Sequence, residues 1–86
     1  MRHASPADLD KLEPLLERLR AFAALRETSR GVFYRRGRAF LHFHADPAGL
    51  FADLRAEDGR TFERLKIDDA LGTSELIALV ARRIGD

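Results

Sequence analysis

The chain has 86 residues, 34% of them charged, a formal net charge of +1 and no cysteine. That length sets one domain, residues 1–86, with a modest core; the charge balance gives no global pull toward nucleic acid or an anionic membrane, and the missing thiols exclude disulfides and thiolate metal sites. No apolar run approaches the roughly 20 residues of a membrane span, and Met1–Pro6 lacks the apolar stretch of a signal peptide, so a cytoplasmic location is expected.

Ser5-Pro6-Ala7-Asp8 reads as a helix start. Ser can cap, Pro suits the first helical position, and an early Asp complements the helix dipole. Leu9, Leu12, Leu15, Leu16, Leu19, Phe22 and Ala23 then recur at three-to-four spacing and predict an amphipathic helix running to about Glu27. Pro14 falls inside it, which predicts a kink or a restart, because an interior Pro costs about 3 kcal/mol. Asp8, Asp10, Glu13 and Glu17 are interleaved with Lys11, Arg18 and Arg20, the pattern of a solvated face. Thr28-Ser29-Arg30-Gly31 reads as the helix end.

From Val32 the period changes to two. Strands are expected over Val32–Arg35, Arg38–Ala45, Leu50–Glu57 and Arg60–Ile67. Arg36-Gly37 and Asp58-Gly59 sit between them as tight hairpin turns, and Asp46-Pro47-Ala48-Gly49 has the chemistry of a type I turn. Short links imply an antiparallel meander. Thr73-Ser74-Glu75 is read as the cap of a last helix whose stripe is Leu76, Ile77, Val80 and Ile84. Asp68 and Asp69 are placed in its lead-in loop. The fold class is therefore α+β: a four-stranded antiparallel meander with N- and C-terminal helices on one face, in the order α-β-β-β-β-α.

The chemistry concentrates in Phe40-Leu41-His42-Phe43-His44-Ala45. On a strand, His42 and His44 share a face. If Ala45 faces Leu50, then His42 lies opposite Asp53, His44 opposite Phe51 and Phe40 opposite Arg55, and one face is wholly apolar. A glycine-bulged turn would slip the pairing by one and take Asp53 and Arg55 away from the histidines. In the first register both helices cover an apolar face that also takes Val32, Tyr34, Leu65 and Ile67. The other face collects Phe33, Phe40, Phe51, Arg55, Phe62 and Arg64 around the histidines. So much aromatic surface marks an interface, and a homodimer through this face is the expected partner arrangement.

Three chemistries can use that face. Two imidazoles at i, i+2 can reach one ion, with Asp53 as third ligand and Asp46 as the next candidate; zinc is the natural divalent choice. Stacking of bases on Phe and Arg would suit RNA or single-stranded nucleic acid, with Arg35, Arg36 and Arg38 as a basic turn. The near-neutral charge and the lack of an RNP-type motif argue against that partner. Catalysis would take His42 as a base oriented by Asp53, but no nucleophile elbow or phosphate-cradling glycine motif accompanies it. His3 lies outside this pattern.

The block Phe40-Leu41-His42-Phe43-His44-Ala45-Asp46-Pro47-Ala48-Gly49-Leu50-Phe51-Ala52-Asp53-Leu54-Arg55, with Phe62-Glu63-Arg64-Leu65, resembles small bacterial proteins of uncharacterised function. That resemblance implies a bacterial source and no particular activity. The helix–meander–helix order is also similar to frataxin-like folds, which bind iron through acidic helix and strand residues; here Lys11 and Arg18 dilute the acidic ridge. The expectation from sequence is a homodimeric binding or interaction module rather than an enzyme. The alternative is a metal-binding protein using His42, His44 and Asp53.

Overall fold

The computed structural model describes residues 1–85. The elements run β1 (Arg2–His3), α1 (Pro6–Arg20), β2 (Arg26–Ser29), β3 (Val32–Arg35), β4 (Arg38–Asp46), β5 (Gly49–Arg55), β6 (Phe62–Lys66) and α2 (Ala70–Ile84). The α+β class holds, but the sheet has six strands rather than four. Its order is β2-β3-β4-β5-β6, with β1 paired to β4, and every pairing is antiparallel.

The helix start is as the sequence dictates. Ser5 caps α1, Pro6 follows it, and Ser5 and Asp8 satisfy each other's backbone N–H in a reciprocal capping box. Pro14 sits within a continuous helix on its exposed side. The carbonyl of Asp10 that loses its partner therefore faces water, which lowers the cost of the missing bond. The helix stops at Arg20 instead of Glu27. Phe22 and Leu25 still pack on the core, but through successive tight turns in which Phe22 N–H donates to the Leu19 carbonyl and Leu25 N–H to the Phe22 carbonyl. Spacing of three satisfies either geometry, so periodicity alone reads as more helix. The chain then enters β2, which pairs with β3 around a turn at Arg30-Gly31.

Arg36 and Gly37 connect β3 to β4 with φ of 53° and 78°, the signs a type I′ turn requires. Beyond the turn the register shifts. Tyr34 pairs with Ala39 but Phe33 pairs with Leu41, leaving Phe40 as the extra residue of a β-bulge. The bulge reverses the faces expected for this hairpin. Phe33 and Phe40, expected outside, are buried in the core at 1% and 3% exposure. Val32 and Tyr34, expected inside, are half-buried and lie outside the core cluster.

The β4–β5 register is the one that makes one face apolar: Leu41↔Leu54, His42↔Asp53, Phe43↔Ala52, His44↔Phe51 and Ala45↔Leu50. The β5–β6 link is longer than a two-residue hairpin. The strands end at Arg55 and resume at Phe62, because the Asp58 carboxylate accepts from the Arg60 and Thr61 backbone N–H and stabilises a wider loop. Helix α2 begins at Ala70, three residues before Thr73. Asp69 is the N-cap and accepts from Gly72 N–H, and Asp68 accepts from Leu50 N–H. Gly72 lies inside the helix because a Cβ there would collide with the Lys66 carbonyl. Both helices pack on one face of the sheet. Leu12, Leu15, Leu16 and Leu19 of α1 and Leu76 and Val80 of α2 join Leu41, Phe43, Ala52, Leu54 and Ile67 in a single core.

Candidate metal centre

Residues paired across strands share a face, so the registers fix what stands on the side away from the helices. His3 of β1 is beside His44 of β4, His42 is beside Asp53 of β5, and Asp53 is beside Arg64 of β6. Phe51 and Phe62 lie on the same side, next to His44 and Arg55 respectively. The period-two spacing of His42 and His44 thus places both imidazoles over one carboxylate.

Asp53 is the centre of the group. Its Oδ2 lies 2.9 Å from His44 Nδ1 and 3.6 Å from His42 Nε2. Arg64 donates two parallel bonds to it, Nε to Oδ1 and Nη2 to Oδ2, each 2.8 Å. The carboxylate is 9% exposed, so its charge is compensated by the fork of Arg64 more than by water. Those bonds from Arg64 hold the Asp53 carboxyl below the usual carboxylate range, against the opposing effect of burial. Burial is the main influence on His42 and depresses its pKa below 6.5, with the neighbouring His44 pushing the same way and Asp53 opposing. The result is an ionised carboxylate beside an imidazole held neutral, the protonation states in which both are ligands.

His44 carries the most informative atom. Its Nδ1 lies 2.9 Å from Asp53 Oδ2, yet among the described residues it is a buried polar atom with no hydrogen-bond partner. Such a nitrogen costs free energy unless something meets it. One donor atom each from His42, His44 and Asp53 lie within 4.8 Å of one another, so the group could hold a metal ion. Asp46, the other carboxylate considered from sequence, is engaged with the Ala48 backbone N–H in the β4–β5 turn and is outside the group.

His3 is the residue the sequence reading missed. Its ring centroid lies 4.7 Å from that of His44 and 6.4 Å from that of His42. Only the pairing of the two-residue strand β1 brings it there, and that pairing has no local signal. Arg2 and Ala4 fasten the segment: Arg2 bonds the Asp8 carboxylate at 2.6 Å, and Ala4 N–H donates to the Phe43 carbonyl. Of the residues expected to form an outer aromatic interface, Phe51, Arg55, Phe62 and Arg64 are on this face, and Phe33 and Phe40 are not. Phe62 makes an edge contact with His42 at 5.3 Å and lies under the Arg55 guanidinium at 4.8 Å.

Two cavities of ligand size are lined by none of the three candidate ligands: one of about 580 Å³ between α1, the β4–β5 turn and the start of α2, and one of about 430 Å³ ringed by arginines. No helix of the described residues is long and apolar enough to cross a membrane. No protein-family model, curated protein or solved structure matches the chain. The functional reading therefore rests on the chemistry of these residues.

Proposed function

We propose that this chain binds a divalent transition metal, zinc by its ligand chemistry, through His42, His44 and Asp53. The Nδ1 of His44, buried 2.9 Å from Asp53 Oδ2 and without a hydrogen-bond partner among the described residues, carries the reading. Nitrogen and oxygen ligands without thiolate suit Zn²⁺, bound at about 2.0–2.2 Å. A tetrahedral site of that size separates its donors by about 3.4 Å. The distances of 2.9 and 3.6 Å from Asp53 Oδ2 bracket that value, and all three donors lie within 4.8 Å of one another. Arg64 has the role expected of an outer partner: it orients the carboxylate through one lone pair on each oxygen and leaves others free. Three protein ligands leave a coordination position for water, for His3 or for a group from a partner.

Calorimetric titration with Zn²⁺ at pH 7.5 tests this. One ion per chain is expected, with His44→Ala and Asp53→Ala each weakening binding by about a hundredfold. His3→Ala should act far less. Absence of saturable binding, or equal affinity in His44→Ala, contradicts the reading.

A second reading, self-association through the same face, is favoured by Phe62, which is 38% exposed on the side of the sheet without helices. Loss of Phe33 and Phe40 to the core halves the aromatic surface first expected there. Sedimentation velocity separates the two readings: a dimer that persists in chelator and dissociates in Phe62→Ser supports association without metal.

A further inference from the structure

Six arginines converge where the Arg36-Gly37 turn, the β5–β6 loop and the last turn of α2 meet. Arg35, Arg36, Arg38, Arg55, Arg82 and Arg83 line the cavity of about 430 Å³, with Phe40 as an apolar wall and Glu57 as the one carboxylate among the described residues. In a chain of net charge +1, this is a strong local excess of positive charge.

Three of the arginines, Arg35, Arg38 and Arg55, are held in place by carbonyls alone among the described residues. Arg35 donates to the carbonyls of Arg83 and Ile84, Arg38 and Arg55 both donate to the Gly59 carbonyl, and Arg55 also donates to that of Ala39. A carbonyl fixes a guanidinium but leaves its charge. Among the described residues Arg83 alone of the six reaches a carboxylate, Glu63 at 2.7 Å. Capping of α2 accounts for part of this. The carbonyl end of a helix carries about half a negative charge, which suits Arg35, Arg82 and Arg83. It does not account for Arg36, Arg38 and Arg55. Each guanidinium has five N–H donors; Arg38 uses one and Arg55 two on carbonyls, so donors remain for a ligand.

We propose that this cavity binds a small phosphate-bearing anion, a diphosphate or a phosphate ester. The guanidinium fork matches phosphate oxygens in pairs. Arg38 and Arg55 are preset by their carbonyl anchors, and Arg36 and Arg82 complete the cation shell from the rim. The size is that of a small-ligand site, and its concave form suits a compact anion, whereas a nucleic-acid backbone needs an extended basic track. None of His42, His44 and Asp53 lines this cavity, which meets the outer face of the sheet at Arg55.

The test is calorimetric titration of the full chain with sodium pyrophosphate at low ionic strength. Saturable binding at one per chain is expected, weakened about tenfold or more in R36E/R82E. Neither residue anchors the fold through a hydrogen bond among the described residues, and R36Q/R82Q serves if the double reversal does not fold. K11E/R18E makes the same change in net charge beside the other cavity and should shift affinity by less than about twofold. No saturable binding at millimolar pyrophosphate overturns the proposal. So does equal weakening in the two double variants, which would be a general charge effect. Binding of a short single-stranded RNA without binding of pyrophosphate also overturns it, in favour of a nucleic-acid surface.

Discussion

A proton and a metal ion compete for the same lone pair on His42. Burial depresses the pKa of this ring below its ordinary 6.5, with His44 adding to the effect. An unfolded chain takes up that proton near pH 6.5, while the native protein declines it until lower pH. The contribution of neutral His42 to stability is thus present above 6.5 and is lost as pH falls below it. Metal affinity falls over the same range. The ring-proton shift of His42 followed against pH should give a midpoint below 6.5; a midpoint at or above 6.5 contradicts the stated environment. Asp53 behaves in the opposite chemical sense, staying ionised because Arg64 bonds its charged form. Arg64→Gln should raise the pH at which the Asp53 carboxyl carbon titrates. At this scale the sequence was informative where chemistry followed local alternation. His42, His44 and Asp53 are aligned by period two and by a turn whose residues set the register. His3 was not legible, since its place depends on a two-residue pairing to a strand some 40 positions away.

Elements differ in how much of their geometry is written locally. The start of α1 is fully local: Ser5, Pro6 and Asp8 are cap chemistry and nothing else is required. Asp8 then gains a tertiary task. Bonds from Arg2, and then from Ser5, lower its pKa to about 2, so β1 is tied to the cap. Asp8→Ala removes both functions. A lower melting temperature is expected from the broken capping box, together with faster hydrogen exchange at the Ala4 amide, which donates to the Phe43 carbonyl; unchanged exchange there would show that β1 is held by other means. The start of α2 is not local. Gly72 stands inside the helix where the Lys66 carbonyl leaves no room for a Cβ. Gly72→Ala should lower the melting temperature even though Ala is the better helix former by about 1 kcal/mol. The bulge at Phe40 is the clearest limit of pattern reading. It carries no Gly or Pro signal, yet it turns β3 over and moves Phe33 and Phe40 from the outer face to the core.

At the scale of the molecule the sheet divides its labour between faces. One face supports the single core under two helices; the other carries the titratable groups. A chain of this length has little stability to spare, so ion binding to the native state should be visible in unfolding. Free Zn²⁺ at 100 times its Kd adds about 2.7 kcal/mol, which for a domain of this size corresponds to roughly 10 °C or more in Tm. Calorimetric scans should show that rise in the native chain and little of it in His44→Ala. The central claim concerns particular nitrogens, and long-range ¹H–¹⁵N correlation of the imidazoles during a Zn²⁺ titration observes them directly. The account predicts that His44 Nδ1 and His42 Nε2, the atoms nearest Asp53, move together and saturate at one ion per chain. Unmoved resonances at those two nitrogens, or a response confined to His3, would contradict it.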